Sequence, residues 1–367
     1  MRVRILLSCL LPLVPYNLGA IQVRLPERTL VLELEINEKV LALQPDQIPL
    51  LMERASRDDV QAQCVLGVAY ERGRGVPRDE AQAIKWLTKV AVRGIGWVQN
   101  LLGNVYQRGG NVPHDYSEAL KWFRVAADQH YPAAADNLGF MYWSGRGVTK
   151  DYAQAAYWYA IGAAEAYPPA QNNLGQLYEH GLGVQRDYST ALNLYRQAAQ
   201  TGLASAQNNL GAMYEAGLGI SKDYKEAVQW YRASAEQGEP VGQSNLAFMY
   251  AHGQGVERDL RAAAKWYERA AESGYAPAQG RLAQLYETGQ GVPLDYVLAY
   301  SWYARAASGG HEPSKLARAS LSQRMTSKQL QAAQAVLLTS VAREHAENEA
   351  GAVIVEKKLP EHRWSQK

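Results

Sequence analysis

The chain of 367 residues is long enough for two or three ordinary domains, so length alone does not fix the domain count. It carries 38 Lys and Arg against 36 Asp and Glu, a formal net charge of +2. No stripe of basic residues runs through the sequence, which argues against a nucleic acid as the partner. The 23 tyrosines against 3 phenylalanines follow from a recurring pattern that fills most of the chain.

Residues 1–20 resemble a secretory signal peptide. Arg2 and Arg4 form a basic start, residues 5–14 an apolar core, and Ala20 a small-residue end after which cleavage is predicted. The apolar run is too short to span a membrane, so we expect a periplasmic or secreted protein without an integral membrane segment. The alternatives are a cytoplasmic protein and a lipid anchor. Cleavage would leave Cys64 as the one cysteine, which excludes an intrachain disulfide.

Residues 21–58 do not follow the recurring pattern. Apolar residues alternate with others at Ile21, Val23 and Leu25 and again at Leu30, Leu32, Leu34 and Ile36. A period of two is typical of half-buried strands, so the segment predicts a short β-hairpin that packs on the first repeat. The alternative is a strand offered to the sheet edge of a partner. Residues 45–57 predict a half-helix that leads into the repeats.

Residues 59–310 consist of seven units of 36 residues, without one inserted or deleted residue between them. Self-similarity at this period indicates a repeat array. Repeats 1 to 7 are 59–94, 95–130, 131–166, 167–202, 203–238, 239–274 and 275–310. Each opens with apolar residues at helical spacing, such as Leu174 and Leu177, which predict a first helix.

Each first helix ends at a Gly-x-Gly turn, for example Gly181 and Gly183. Glycine is favoured there because a helix C-terminus and the tight reversal after it need a positive φ. In repeat 2, Gly109 is followed by Asn111 in place of the second glycine. Asparagine tolerates the left-handed region, so the same backbone conformation is predicted at Asn111.

An aspartate precedes the second helix of every repeat. Its carboxylate can accept a hydrogen bond from the free amides of the first helical turn. Seven acids at identical repeat positions are therefore interpreted as helix N-caps and not as catalytic groups. These structural caps are Asp79, Asp115, Asp151, Asp187, Asp223, Asp259 and Asp295.

The second helix carries an alanine followed by an aromatic pair, such as Trp230 and Tyr231. A hairpin of 36 residues cannot bury such a face alone, so the hairpins must stack on their neighbours.

After repeat 7, residues 326–345 predict one amphipathic helix. Residues 311–345 are interpreted as a capping segment and residues 346–367 as a mobile tail. The predicted fold class is an all-α solenoid with a short N-terminal β-like segment and a C-terminal capping helix.

The recurring pattern A-x-x-x-L-G-x-M-Y-x-x-G-x-G-V-x-x-D-Y-x-x-A-x-x-W-Y resembles the Sel-one-like repeat (SLR), a relative of the tetratricopeptide repeat. The resemblance covers residues 59–310, and residues 321–334 are similar to the helix that often closes bacterial members. It implies a right-handed superhelix that acts as a scaffold for protein–protein interaction, without enzymatic activity. Some secreted members have paired cysteines and are linked with β-lactam binding; those pairs are missing here.

If the tetratricopeptide geometry is carried over, the first helix of each repeat lines the concave surface. The inward positions are then two residues before, and two, five and six residues after, the Leu of the Leu-Gly pair. The predicted partner-binding residues at these positions are Asn100, Asn104, Phe140, Trp143, Asn172, Gln176, Glu179, His180, Asn208, Glu215, Phe248 and His252.

Two features of this set suggest a contact surface. Asn100, Asn172 and Asn208 would form a ladder that grips a peptide backbone, because an amide both donates and accepts hydrogen bonds. Phe140, Trp143 and Phe248 would act as aromatic anchors. The alternative interpretation is that the asparagines serve only the packing between repeats.

No HExxH, paired CxxC, GxxxxGK[ST] or GxSxG motif occurs, and the seven histidines show no metal-ligand spacing. We therefore expect no cofactor, no metal and no enzymatic activity. The favoured function is a monomeric scaffold that holds a protein or peptide in the groove. The alternatives are an enzyme acting on cell-wall or β-lactam-like molecules, and a self-assembling or immunity-type adaptor.

Overall fold

The computed structural model describes residues 27–339, with side chains from residue 32. Every regular element in that range is a helix, so the predicted all-α class is confirmed. The predicted signal peptide, the alternation at 21–25 and the predicted tail lie outside the described residues. The chain divides into two compact units, Met1–Arg186 and Asp187–Lys367, and the boundary falls within repeat 4.

The strand predicted at residues 30–36 is wrong, because these residues belong to helix α1, Glu27–Leu41. Ile36 and Val40 are fully buried, and half-buried Leu32 packs against the same core, whereas Leu34 is 57% exposed. A spacing of four residues satisfies both a helix and a two-residue alternation, so the pattern was ambiguous. Packing against the first repeat selects the helix.

A short 3₁₀ turn, Pro45–Gln47, follows α1 and leads into α2, Ile48–Ser56, where the half-helix was predicted. First and second helices then alternate through all seven repeats, and within each unit consecutive helices pack on each other. The first helices are α3 Val60–Arg72, α5 Gly96–Arg108, α7 Pro132–Ser144, α9 Pro168–His180, α11 Ala204–Ala216, α13 Pro240–His252 and α15 Ala276–Thr288. The second helices are α4 Glu80–Ala91, α6 Tyr116–Ala127, α8 Tyr152–Ala164, α10 Tyr188–Gln200, α12 Tyr224–Glu236, α14 Leu260–Glu272 and α16 Tyr296–Ser308.

All seven predicted aspartates act as N-caps of the second helices. Each has an extended backbone, and its side chain accepts from one or two amides of the first turn. Asp151 Oδ1, for example, accepts from the amides of Ala153 at 2.9 Å and Gln154 at 3.0 Å. These bonds satisfy donors that have no partner within the helix.

The second glycine of the turn is required by a close approach between repeats. At Gly183, where φ is +69°, a Cβ would lie 2.2 Å from the carbonyl carbon of Tyr152 in the preceding repeat. No flexible side chain can move out of the way at that point, because the clash is with backbone. The Gly-x-Gly pattern therefore encodes the contact between repeats as well as the turn.

The left-handed conformation predicted for Asn111 is wrong. In repeat 2 the positive φ values fall at Gly109 and Gly110, and Asn111 is not among the residues with positive φ. The Asn111 side chain accepts from the Glu80 amide at 2.9 Å and donates to Asp79 Oδ1 at 2.9 Å, while its own amide donates to Glu80 Oε2 at 3.0 Å. Hydrogen bonds to the preceding repeat thus replace the close backbone approach that Gly183 makes in repeat 4.

The segment 311–345, interpreted from sequence as one capping helix, contains two helices within the described residues. They are α17, Glu312–Ser322, and α18, residues 327–339. Ala333 of α18 is fully buried in a cluster with Tyr303 of repeat 7 and Leu321 of α17. The two helices therefore cover the apolar end of repeat 7, and residues 340–345 lie outside the described residues.

Candidate functional site

The asparagines of the predicted ladder are buried between repeats. Asn100, Asn172 and Asn208 are 8%, 5% and 8% exposed. Asn137 Nδ2 donates to Asn100 Oδ1 at 2.9 Å, and the equivalent bond from Asn245 to Asn208 measures 2.8 Å. These two bonds join the inward asparagine of one repeat to the consensus asparagine of the next. These side chains hold repeats together and do not form exposed contact surface.

Repeat 3 has an acid at the ladder position. Asp136 Oδ1 accepts from Asn173 Nδ2 at 2.9 Å, the same bond that an asparagine accepts in repeats 2 and 5. Burial raises the pKa of Asp136 to about 6, against the lowering effect of the Asn173 bond. The Asp136 carboxyl group therefore loses its proton at a higher pH than an ordinary aspartate does.

The inward positions of repeat 1 are covered by the chain itself. Cys64 and Val68 are fully buried in one apolar cluster with Ile36 and Val40 of α1. Helix α1 packs on the first helices α3 and α5. Its Glu35 also accepts a hydrogen bond from Gln61 of α3 at 3.5 Å. An internal helix thus occupies the face that sequence reasoning assigned to a partner.

A polar link joins α1 to repeat 3. The Tyr131 hydroxyl, just before α7, donates to Glu33 Oε1 at 3.3 Å. Burial raises the pKa of Glu33, and the Tyr131 hydrogen bond opposes that effect. Burial likewise raises the pKa of Tyr131. Coverage by α1 thus reaches the start of repeat 3, and sequence reasoning missed it because the segment was predicted to be a strand.

The position five residues after the Leu is a glutamate in four repeats, namely Glu71, Glu179, Glu215 and Glu287. Glu215 accepts from the Tyr231 hydroxyl at 2.6 Å, and Glu287 accepts from Tyr303 at 2.9 Å. Glu71 also pairs with Arg108 of repeat 2 at 2.7 Å, and Glu287 pairs with Arg324, which follows α17, at 2.5 Å. A glutamate here serves contacts within the array.

Repeat 3 departs from this rule at Trp143, which is 41% exposed. The Trp143 ring stacks on Phe140, with centroids 6.0 Å apart and an angle of 25° between the planes. The Arg146 guanidinium lies 5.2 Å from the Phe140 centroid, and Lys150 Nζ lies 5.9 Å from the Trp143 centroid. Two predicted anchors are thus brought together with two cations, which sequence reasoning did not include.

The remaining predicted residues are distributed along the first helices. In the first unit, Gln176 and His180 are exposed, while Asn104 and Glu179 are half-buried; Asn104 also accepts from the Asn137 side chain at 3.2 Å. In the second unit, the Phe248 ring lies 4.0 Å from that of His252, whose Nδ1 is 2.9 Å from the Phe248 carbonyl oxygen. Phe248 and His252 therefore form a second, smaller aromatic pair.

Among residues 27–339, no group of three His, Cys, Asp or Glu side chains is arranged to hold a metal ion. No helix in the same range is both long and apolar enough to cross a membrane.

A family model described as the Sel1 repeat matches the sequence at residues 60–91, 98–131, 132–167, 168–203, 204–239, 240–275 and 276–311. The chain belongs to the Sel1 repeat family. The seven matches coincide with repeats 1 to 7, and Sel1 repeats generally mediate protein–protein interaction.

Several solved structures are similar to this chain. A Sel1 repeat protein from Oxalobacter formigenes is 33% identical, with a TM-score of 0.61 over 75% of this chain and 80% of that chain. The protective antigen c5321 from uropathogenic Escherichia coli, which displays an SLR fold, is 26% identical, with a TM-score of 0.47 over 92% and 99%. Immunity protein Pa5087 from Pseudomonas aeruginosa is 21% identical, with a TM-score of 0.41 over 58% and 81%. A comparison with curated protein sequences returned no match.

Proposed function

We propose that this Sel1 repeat protein is a non-catalytic scaffold that binds a protein or peptide on the first-helix face of its repeats. The observation that carries the proposal is the exposed Trp143, stacked on Phe140 at positions predicted to face inward. Tryptophan is enriched among the residues that dominate binding energies, and folding alone gives no reason to leave it in water.

The contrast with repeat 1 supports the same conclusion. There the apolar side chains on this face, Cys64 and Val68, are fully covered by α1. The chain therefore covers apolar residues of this face in one repeat and leaves the indole of Trp143 accessible two repeats later. A partner that covers Trp143 would gain the burial that α1 supplies at repeat 1.

The proposal is tested by affinity capture with the full chain as bait in an extract of the native cells. Trp143→Glu introduces the residue that four other repeats carry at this position, so the variant is expected to fold. It should lose the captured partner, while Val92→Ala, an exposed apolar residue at the end of α4, should retain it. Equal capture by Trp143→Glu and the parent chain would rule out this face.

The scaffold is further proposed to be exported from the cytoplasm. The signal peptide predicted at residues 1–20 would place the scaffold in the periplasm or outside the cell. The mass of the intact mature chain, isolated from native cells, should then correspond to a start at Ile21. A mature chain that retains residues 1–20 would favour the cytoplasmic alternative.

A further inference from the structure

We propose that the surface formed by Phe140, Trp143, Arg146, Lys150 and Tyr152 binds an acidic segment of a protein, in which a carboxylate neighbours an apolar side chain. This inference rests on the proposed function and specifies the chemistry of the partner. All five residues lie within repeat 3, so the surface belongs to one helical hairpin. It is named the repeat-3 cluster below.

The rings and cations of the repeat-3 cluster lie close together. Phe140 and Trp143 are about one turn apart on α7 and stack at 6.0 Å. Arg146, in the turn, lies over Phe140 at 5.2 Å. Lys150 lies 5.9 Å from the Trp143 centroid and 4.7 Å from that of Tyr152. The two cations therefore border an aromatic surface, held there by cation–π attraction.

Arg146 and Lys150 have no acidic partner among the residues that the structure describes. Neither Arg146 nor Lys150 forms an ion pair with any residue of the described range, and both are exposed. By contrast, Arg78 pairs with Glu80 at 2.7 Å, and Arg108 pairs with Glu71 at 2.7 Å. A positive charge that no described residue neutralises is available to a ligand carboxylate.

The nearby acids are already engaged. Asp151, next to Lys150, caps α8 and accepts from two amides. Asp136, one turn before Phe140 on α7, accepts from Asn173 of the next repeat at 2.9 Å. Arg108 and Arg324 each pair with the glutamate 37 residues before them. The equivalent residue in repeat 4 is His180, and the residue 37 positions before it is Trp143 in place of a glutamate. The local charge bordering Trp143 is therefore positive, although the whole chain carries only +2.

The combination of charge and aromatic surface favours an acidic protein segment over a nucleic acid. Two cations next to two stacked rings match one or two carboxylates beside an apolar side chain. A nucleic acid backbone needs a longer basic track, which the sequence does not contain. Arg146 and Lys150 would contact the carboxylates, while Trp143 and Phe140 would cover the apolar side chain.

The test is selection of a random-peptide phage library against the full chain, followed by fluorescence anisotropy with the selected peptides. The charge variant Arg146→Gln/Lys150→Gln removes both cations and leaves the rings. The matched control is Lys222→Gln in repeat 5, where Lys222 lies over Tyr224 at 5.4 Å in the same turn position as Lys150. We expect selected peptides to be enriched in Asp and Glu beside apolar residues.

Binding should weaken roughly tenfold or more in the charge variant, and by less than about twofold in the Lys222 control, as expected for loss of charge-assisted contacts. Affinity should also fall with rising salt in the parent chain only. Selection of no peptide, peptides without acidic enrichment, equal binding by the charge variant, or displacement by single-stranded oligonucleotide would each overturn the inference. If Trp143→Glu abolishes capture of the native partner while the charge variant does not, the scaffold proposal stands and the acidic partner is wrong.

Discussion

Repeats 1 and 3 present the same helix face in two different states. In repeat 1 the inward positions hold Cys64 and Val68, which are fully buried under α1. In repeat 3 the corresponding stripe of α7 holds Phe140 and the 41% exposed Trp143. The chain therefore covers this face of repeat 1 with its own helix α1. Where that cover ends, an aromatic surface remains accessible.

The largest expected effect tests whether α1 is an integral cover. Ile36→Ala removes a fully buried side chain from the cluster with Val68 and should lower the free energy of unfolding by about 2–5 kcal/mol. Leu34→Ala, on the 57% exposed side of the same helix, should change it by less than about 0.5 kcal/mol. Urea denaturation followed by circular dichroism measures both. Similar values for the two variants would show that α1 does not pack as described.

A second prediction concerns the acid that replaces the ladder asparagine in repeat 3. The pKa of Asp136 is raised to about 6, so its protonated form is favoured by folding, and stability is lost as pH rises from about 4 through 6. Asp136→Asn introduces the side chain of the equivalent position in repeats 2, 4 and 5. At pH 7 and above it should be more stable than the parent chain by up to about 3 kcal/mol.

The measurement for Asp136 is the free energy of unfolding at a series of pH values. The difference between the parent chain and the variant should shrink as pH falls towards 4. Glu33, whose pKa is also raised, contributes a similar trend to both proteins and cancels in this difference. A difference that does not change with pH would contradict the raised pKa of Asp136.

A third prediction concerns the aspartate N-cap of the second helix, which is Asp79 in repeat 1 and Asp151 in repeat 3. Asp151→Ala removes the acceptor for the amides of Ala153 and Gln154 and should cost about 1 kcal/mol. Asp151→Asn keeps an acceptor oxygen and should lose only a few tenths of a kcal/mol. Thermal melts of both variants check the order. An equal loss in both would mean that the charge, and not the hydrogen bond, stabilises the helix start.

The smallest expected effect on stability comes from Trp143→Glu. Because the indole is partly exposed and glutamate occupies this position in four other repeats, the free energy of unfolding should change by less than about 0.5 kcal/mol. A melting temperature close to that of the parent chain would separate a binding role from a structural one. A large loss would mean that Trp143 belongs to the core.

Periodicity and turn chemistry allowed much of the fold to be predicted from sequence. The 36-residue register fixed the repeat boundaries, and the aspartates marked the start of every second helix. The N-terminal segment was mispredicted, because Leu32 and Ile36 fit a strand and a helix equally well by spacing. Only the apolar surface of repeat 1, which is not visible as a local pattern, decides between them.

The site was predicted less completely, because here too the outcome depends on residues that are distant in sequence. The inward positions were assigned from the repeat, but exposure depends on neighbours in other repeats. Asn100 and Asn208 are buried by bonds to the following repeat, 37 residues away in sequence. The cations of the repeat-3 cluster lie in the turn between α7 and α8, outside the four inward positions of the first helix. One signal was present: Trp143 stands where other repeats have glutamate.

The most direct test of the scaffold is site-specific photo-crosslinking in native cells. A photoreactive residue is placed at Gln176 on the first helix α9 or at Gln154 on the second helix α8, both of which are exposed. The account predicts a crosslinked partner protein from position 176 and none from position 154. Adducts from position 154 alone, or no adduct from position 176, would contradict binding on the first-helix face.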